Sequence, residues 1–279
     1  MNEDPFPAVD GVTHRFVQAG AVRLHVAEAG SGPPVLLLHS FPQHWYAWRR
    51  VIPGLATDHR VLCPDFRGAG WSDAPPDGYE TATRVDDLLA LLDALGLDEV
   101  RVVSHGWGAW TAFALCLRAP ERVRAHLALA MTHPWPARRA LRRAAWRFWH
   151  TTLWELPLLG PAVLRHWPGL TRFLLRHWGA AEDGVAEFAE RSRRPGQARA
   201  GQQLNWQFVG HDLPKLRRAG ADRPRMPTEI LAGGRDVLVP PELLGDVLPV
   251  RVLADCGHLI PEQRPDAVVA AARALFGGS

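Results

Sequence analysis

The stretch Val102-Val-Ser-His-Gly-Trp-Gly-Ala109 decides the fold of this chain. In it, an apolar run of strand type passes directly into a helical pattern through the small residues Ser104, Gly106 and Gly108. Such a strand–turn–helix junction is an elbow that lifts its central side chain above a sheet, and small flanking residues let strand and helix pack closely. The central position normally carries a Ser, Cys or Asp nucleophile, whereas this chain has Gly106. The sequence therefore predicts an elbow whose nucleophile position is vacant.

Strands and helical patterns alternate on both sides of this elbow. Residues 13–19 and 21–28 alternate polar and apolar side chains around Gly20, which predicts an antiparallel hairpin. Apolar runs typical of strands buried on both faces follow at 35–39, 61–63, 100–104, 126–131, 229–231 and 250–253. Helical patterns lie at 45–55, 81–96, 107–118, 240–247 and 263–275. This alternation predicts an α/β fold with a mostly parallel, doubly wound sheet.

One long segment interrupts the alternation. Residues 134–222 contain no clear strand pattern and are rich in Trp, Leu and Arg at helical spacing. Helices inserted between two strands of such a sheet lie over the carboxyl edge of the strands, where open α/β sheets bind ligands. The sequence therefore predicts a core formed by residues 1–133 and 223–279, and a helical cap formed by residues 134–222.

Composition excludes several classes of protein. The 279 residues are 47% hydrophobic and 22% charged, which is typical of a folded globular chain. Three widely spaced cysteines without a CxxC pair argue against a disulfide scaffold or a zinc ribbon. The arginines of the cap segment are scattered among tryptophans and leucines, which favours a solvated helical face over a nucleic-acid surface. No signal peptide or spanning segment is visible. We expect a soluble cytoplasmic monomer or homodimer that binds no metal, cofactor, nucleic acid or membrane.

Three further segments place polar groups at the same edge of the sheet as the elbow. Asp236 follows the predicted strand at 229–231, and His258 follows the strand at 250–253. The order of elbow, acid and base along the chain is the order found in hydrolases built on a nucleophile elbow. The segment His39-Ser-Phe-Pro42 follows another strand, so the backbone amides of Phe41 and Trp107 are predicted to form an oxyanion hole.

On these motifs the chain resembles the α/β-hydrolase superfamily, in particular the branch of epoxide hydrolases and haloalkane dehalogenases, and most of all the epoxide hydrolases. The segment from His39 to Trp48 is similar to the HGFPxxWYxW stretch of that branch, and Asp65 to Ser72 is similar to its DxRGxGxS loop. His105-Gly-Trp-Gly-Ala109 resembles its HDWGA elbow, in which the Asp is the nucleophile. The resemblance runs from about residue 10 to the C-terminus, and it implies an α/β-hydrolase fold with an inserted helical cap.

The chain departs from this family at the positions that react. Leu204-Asn-Trp-Gln207 resembles the LNWY segment, whose tyrosine donates a proton to the opening epoxide, but the tyrosine is replaced by Gln207. The position that matches the partner tyrosine is His150, and Ser40 stands where the family has Gly. A glycine has no side chain with which to form a covalent intermediate. We expect a small void above Gly106, next to His258.

Three functional hypotheses remain open at this point. In the first, His258 oriented by Asp236 performs non-covalent acid/base chemistry on a hydrophobic small molecule, by water addition, elimination or cyclisation. The second is a catalytically dead pseudo-hydrolase that binds a hydrophobic ligand or a partner. The third is an ordinary ester or epoxide hydrolase with Ser40 as a displaced nucleophile, or one whose nucleophile was removed by engineering. The residues expected to bind substrate are His150, Gln207, Ser40, Trp206 and Trp149.

Overall fold

The computed structural model describes residues 5–134, 145–148, 153–212 and 223–277. Its eight strands are β1 (Thr13–Ala19), β2 (Val22–Ala29), β3 (Pro34–Leu38), β4 (Arg60–Pro64), β5 (Val100–His105), β6 (Val123–Leu129), β7 (Thr228–Gly233) and β8 (Val250–Leu253). They form one sheet in the order β1-β2-β4-β3-β5-β6-β7-β8. The contacts of β2 with β1 and β4 are antiparallel and the other pairings are parallel. The predicted α/β fold is confirmed.

Helices cover both faces of the sheet. The core helices are α1 (Ile52–Leu55), α2 (Thr81–Ala94), α3 (Trp107–Arg118), α8 (Ile260–Gln263) and α9 (Pro265–Gly277). Neighbouring residues of β3 point to opposite faces, so Leu37 packs in the cluster that holds α9, whereas Leu36 packs in the cluster that holds α2 and α3. Burial on both faces explains why these strands are continuous apolar runs in the sequence.

Between β6 and β7 the described residues form only helical elements. Four α-helices follow one another here: α4 (Leu159–His166), α5 (Pro168–Trp178), α6 (Glu182–Ser192) and α7 (Pro195–Gln207). Their apolar side chains, Leu164, Leu174 and Phe188 among them, share a buried cluster with Phe113 of α3 and Ile230 of β7. These helices lie in the segment predicted to be the cap, and they pack directly on the core.

Two of the predicted helices differ from the structure. Residues 240–247, expected to be helical, form a single 3-10 turn at Pro241–Leu243, and Gly245 has a left-handed backbone with φ of 60°. Residues 45–55 are divided between a 3-10 turn at Trp45–Trp48 and the short α1. Pro53 lies in the first turn of α1 and separates it from the turn at Trp45–Trp48, whereas the left-handed Gly245 ends the turn that begins at Pro241.

A buried carboxylate fixes the loop that follows β4. Asp65 is fully buried and accepts hydrogen bonds from His25 Nδ1 at 2.8 Å, Trp45 N at 2.7 Å and Trp71 N at 3.1 Å. Burial alone raises the pKa of this carboxyl, but the facing rings of His25, His44 and His39 and the hydrogen bond from His25 outweigh it, so the pKa lies well below its usual range. The ionised Asp65 therefore ties β2, the Trp45 turn and its own loop together.

Acid is expected to weaken this anchor. Because the pKa of Asp65 is depressed in the folded state, its contribution is complete above about pH 4 and is lost as the pH falls below that value. Burial next to His25 lowers the pKa of His14 to about 4, which adds to acid sensitivity because the unfolded chain takes up that proton more readily. Asp65→Asn should lower the free energy of unfolding by about 3 kcal/mol at neutral pH and flatten its decline in acid. Urea titrations at a series of pH values measure both effects.

Candidate active site

The backbone at the junction of β5 and α3 has the geometry of an elbow. Gly106 has φ of 51° and ψ of −120°, a conformation that costs residues with a Cβ on the order of 1–3 kcal/mol. A Cβ at Gly108 would lie 2.5 Å from the carbonyl oxygen of His39 and 2.7 Å from the carbonyl carbon of Leu38. The two glycines thus have different structural roles. Gly106 permits the turn, and Gly108 lets α3 approach the end of β3.

The Ser40 hydroxyl occupies the space above Gly106. A Cβ at Gly106 would lie 2.9 Å from Ser40 Cβ and closer still to Ser40 Oγ. The amide of Trp107 donates a hydrogen bond of 3.2 Å to Ser40 Oγ. The expected void is therefore wrong, because the side chain at position 40 fills the volume that the missing side chain at position 106 leaves. The sequence feature that could have indicated this is Ser40, which stands where the similar HGFP motif has a glycine.

His258 and Asp236 form a hydrogen-bonded pair. The ring nitrogen Nδ1 of His258 lies 2.9 Å from Asp236 Oδ2, and Asp236 Oδ1 accepts from the backbone amides of Leu238 at 2.8 Å and Val239 at 2.9 Å. Burial raises the pKa of the Asp236 carboxyl, but the His258 ring and these hydrogen bonds outweigh burial, and the pKa lies below its usual value. An ionised Asp236 only accepts, so His258 carries its proton on Nδ1 and presents the lone pair of Nε2.

A second histidine holds the loop of His258 from the elbow side. His105, at the end of β5, lies with Nε2 3.0 Å from the carbonyl oxygen of His258, and the two rings are 5.1 Å apart. Burial, followed by the proximity of His258, lowers the pKa of His105 to about 3. His105 is therefore neutral and donates from Nε2 to this carbonyl. The sequence analysis placed His105 in the elbow motif but gave no signal for this contact.

The predicted oxyanion hole is altered by Ser40. The Trp107 amide, expected to face a substrate oxygen, already donates to Ser40 Oγ. The Phe41 amide has no hydrogen-bond partner within the described residues. A hydroxyl that accepts from an amide keeps its own O–H for donation. The donors available beside the elbow are therefore the Phe41 amide and the Ser40 hydroxyl, instead of two backbone amides.

A small cavity lies beside Ser40. Its volume is about 30 Å³, enough for about two water molecules. Its walls come from the loop after β3, the loop after β4, the elbow and α7, and include Ser40, Phe41, Phe66, Trp107, Ala200 and Leu204. Helix α7 approaches closely because position 201 is a glycine, where a Cβ would collide with the Phe41 ring. The cavity thus lies beside Ser40 and Phe41 and under helix α7.

The cap residues that the sequence predicts to bind substrate differ in how the structure places them. Gln207 is partly buried at the end of α7, whereas Trp206 is 51% exposed, which counts against a place for Trp206 in a closed pocket. Trp149 and His150 lie outside the described residues. Phe208, which sequence reasoning did not single out, packs edge-on against Trp107 and Trp110 with ring centroids 4.6 and 5.1 Å apart. Phe208 therefore forms an aromatic contact between the end of the α7 segment and the elbow helix.

Comparison with known proteins agrees with this geometry. Residues 33–265 match the family described as alpha/beta hydrolase fold. A soluble epoxide hydrolase from Corynebacterium sp. (strain C12) is 30% identical over 292 residues, which cover 95% of this chain and 97% of that relative. Epoxide hydrolase 2 from Siraitia grosvenorii is 42% identical over 126 residues, covering 44% of this chain and 40% of that protein.

Solved structures show the same relationship. The epoxide hydrolase CorEH, solved without ligand, is 27% identical and superposes with a TM-score of 0.81 over 96% of this chain and 99% of its own. Cfl2 from Burkholderia cenocepacia is 28% identical, with a TM-score of 0.84 over 98% of this chain and 100% of its own.

Within the described residues, none of the helices has the length and apolar character needed to cross a bilayer. By family match, by similarity to a relative over nearly its whole length and by its sheet, this chain belongs to the α/β-hydrolase fold family, and epoxide hydrolases are among its relatives.

Proposed function

We propose that this protein is an enzyme that performs non-covalent acid/base chemistry on a hydrophobic small molecule, with His258 as the general base. The observation that carries this proposal is the hydrogen bond of 2.9 Å between His258 Nδ1 and Asp236 Oδ2, next to an elbow whose Gly106 has no side chain. An oriented imidazole with a free Nε2 is suited to remove a proton from a water molecule or from a substrate. The names of the relatives favour water addition, and elimination and cyclisation use the same base.

Each remaining group has a distinct task in this proposal. Asp236 keeps the proton on Nδ1 and stabilises the imidazolium that forms when Nε2 takes up a proton. The Phe41 amide and the Ser40 hydroxyl donate to the oxygen that gains negative charge. The aromatic rings of Trp107 and Phe208 give the substrate an apolar surface between elbow and cap. Gln207 orients a polar group of the substrate, since an amide donates hydrogen bonds but does not transfer protons.

Ser40 is the second candidate for a reacting group, because its Oγ stands where the nucleophile of a hydrolase elbow would project. A serine nucleophile needs a base within hydrogen-bond reach to take its proton. Within the described part of the chain, the Ser40 hydroxyl has a hydrogen bond only with the Trp107 amide, and none joins it to His258. This arrangement favours Ser40 as a donor to substrate over Ser40 as an attacking group.

Incubation of the wild type and Ser40→Ala with aromatic epoxides and aryl esters separates the two candidates. If Ser40 is only a donor, its removal should slow product formation by about 10–10³-fold without abolishing it, since one oxyanion donor is lost. The mass of the intact wild-type protein should stay unchanged during turnover. A substrate adduct mapped to Ser40 would establish the nucleophile instead, and recovery of every candidate substrate unaltered would favour the binding protein.

A further inference from the structure

The loop that carries His258 is bonded to the cap through one side chain. Gln263, the last residue of α8, accepts a hydrogen bond of 2.6 Å from the amide of Gly257 with Oε1. Its Nε2 lies 3.3 Å from the carbonyl oxygen of Trp178 and 3.4 Å from that of Gly179. Gln263 thus joins the residue before His258 to the end of cap helix α5.

The end of α5 is shaped to receive this amide. Gly179 terminates the helix in the left-handed region with φ of 97°. A Cβ at Gly179 would lie 2.6 Å from Gln263 Cδ and closer still to Nε2. The carbonyl of Trp178 also accepts a hydrogen bond of 3.1 Å from the amide of Leu259, the residue after His258. Both neighbours of His258 in the chain are therefore fixed to the same turn of the cap.

An ionic contact adds a second connection between these two regions. Arg49 donates to both carboxylate oxygens of Glu262 in α8, at 2.6 and 2.8 Å, and to both of Asp183 in cap helix α6, at 2.8 Å each. The side chains of Arg49 and Glu262 are almost completely buried. Paired and buried bidentate contacts of this kind hold planar groups in one geometry. The loop of the general base is thus held to the cap on two sides.

We infer that Gln263 is a positioning residue of His258, and that seating of cap helix α5 sets the orientation of the general base through the amide of Gln263. The Trp178 ring, edge-on to the His258 ring with centroids 6.2 Å apart, belongs to the same turn of the cap. A cap displaced by an incoming substrate releases the loop, and a seated cap restores the pairing of His258 with Asp236. This inference rests on the proposed role of His258 as a base.

Nuclear magnetic resonance of protein labelled with ¹⁵N in histidine tests the inference without a substrate. The Nδ1 proton of His258, assigned by its absence in His258→Ala, reports the hydrogen bond to Asp236. In Gln263→Met its exchange with water should accelerate at least about tenfold, because the loop opens locally while the fold stays intact. Gln263→Glu keeps the acceptor for Gly257 but loses the donor to the cap, so its exchange should lie between those of Gln263→Met and the wild type.

Gln203→Met is the matched control, since Gln203 is a partly buried cap residue whose Nε2 donates a hydrogen bond of 2.6 Å to the carbonyl of Pro76, in a segment of the chain remote in sequence from His258. Its Nδ1 exchange should equal that of the wild type. Gly179→Ala displaces the Gln263 amide from the other side and should reproduce the effect of Gln263→Met, which keeps the test decisive if one variant folds poorly. Unchanged exchange in Gln263→Met and Gly179→Ala would overturn the inference. Failure of the proposed function would be seen in a different experiment, as turnover that persists in His258→Ala.

Discussion

Gly106→Ala is expected to lower the free energy of unfolding by about 2–6 kcal/mol, the sum of backbone strain and overpacking. The left-handed φ of 51° is unfavourable for alanine, and the new Cβ would collide with the side chain of Ser40. Ser40→Gly in the same chain removes the collision and leaves the strain. The double variant should therefore recover about 1–3 kcal/mol relative to the sum of the single effects. Urea unfolding of the four proteins gives this coupling energy directly.

The coupling is the informative part of that experiment. A large coupling means that Ser40 and Gly106 are a matched pair, so the two departures from the family pattern compensate each other in volume. It also means that Gly106→Asp fails to restore a nucleophile unless Ser40→Gly accompanies it. Ser192→Gly, which removes a buried hydroxyl of the cap bonded to the carbonyl of Ala189, is the control and should show no coupling with Gly106→Ala. Additive effects of the substitutions at positions 40 and 106 would contradict the pairing.

His258→Ala is expected to reduce kcat by about 10²–10⁴-fold, the usual contribution of a general base. Asp236→Asn should reduce kcat by about the same factor. An asparagine amide donates to Nδ1 and forces the proton onto Nε2, where the base needs a lone pair. Both variants should bind substrate with little change, since neither side chain contributes to the apolar surface. Steady-state kinetics, with KM and kcat resolved, measure both predictions.

A change of the same chemical type on a nearby loop controls for nonspecific effects. Asp255 pairs with Arg235 at the surface, 2.6 Å apart, and Asp255→Asn should leave kcat within about twofold of the wild type, since exposed ion pairs contribute little. Equal losses of kcat in Asp236→Asn and Asp255→Asn would show that the Asp236 carboxylate has no specific role. Full activity in His258→Ala would show that His258 is not the base.

The sequence predicts the sheet well because strands buried on both faces are short continuous apolar runs. β8 and α3 begin and end where the pattern predicts, at Val250–Leu253 and Trp107–Arg118. Residues 240–247 show why helical spacing alone misleads. Leu243, Leu244 and Val247 have helical spacing, but Gly245 between them takes a left-handed conformation, so the chain forms a single turn after its two prolines.

The site was only partly predictable for a different reason. Motif order along the chain locates Asp236, His258 and the elbow, because strand ends of a parallel sheet meet at one edge. The place of Ser40 Oγ depends instead on how far the loop after β3 reaches over Gly106, which is a property of packing between distant segments. The same holds for Phe208 against Trp107 and for Gln263 against Gly179: no local pattern encodes a contact that forms only when cap and core are assembled.

Single turnover in ¹⁸O-labelled water tests the central claim, that the protein works without a covalent intermediate. With protein in excess over an aromatic epoxide that it hydrolyses, direct attack of water activated by His258 places ¹⁸O in the first diol formed. An enzyme that attacks with its own carboxylate transfers one of its own oxygens in that turnover, so the diol carries ¹⁶O and the protein acquires the label. We predict labelled diol and unlabelled protein. Unlabelled diol from the first turnover, with ¹⁸O recovered in the protein, would contradict the account.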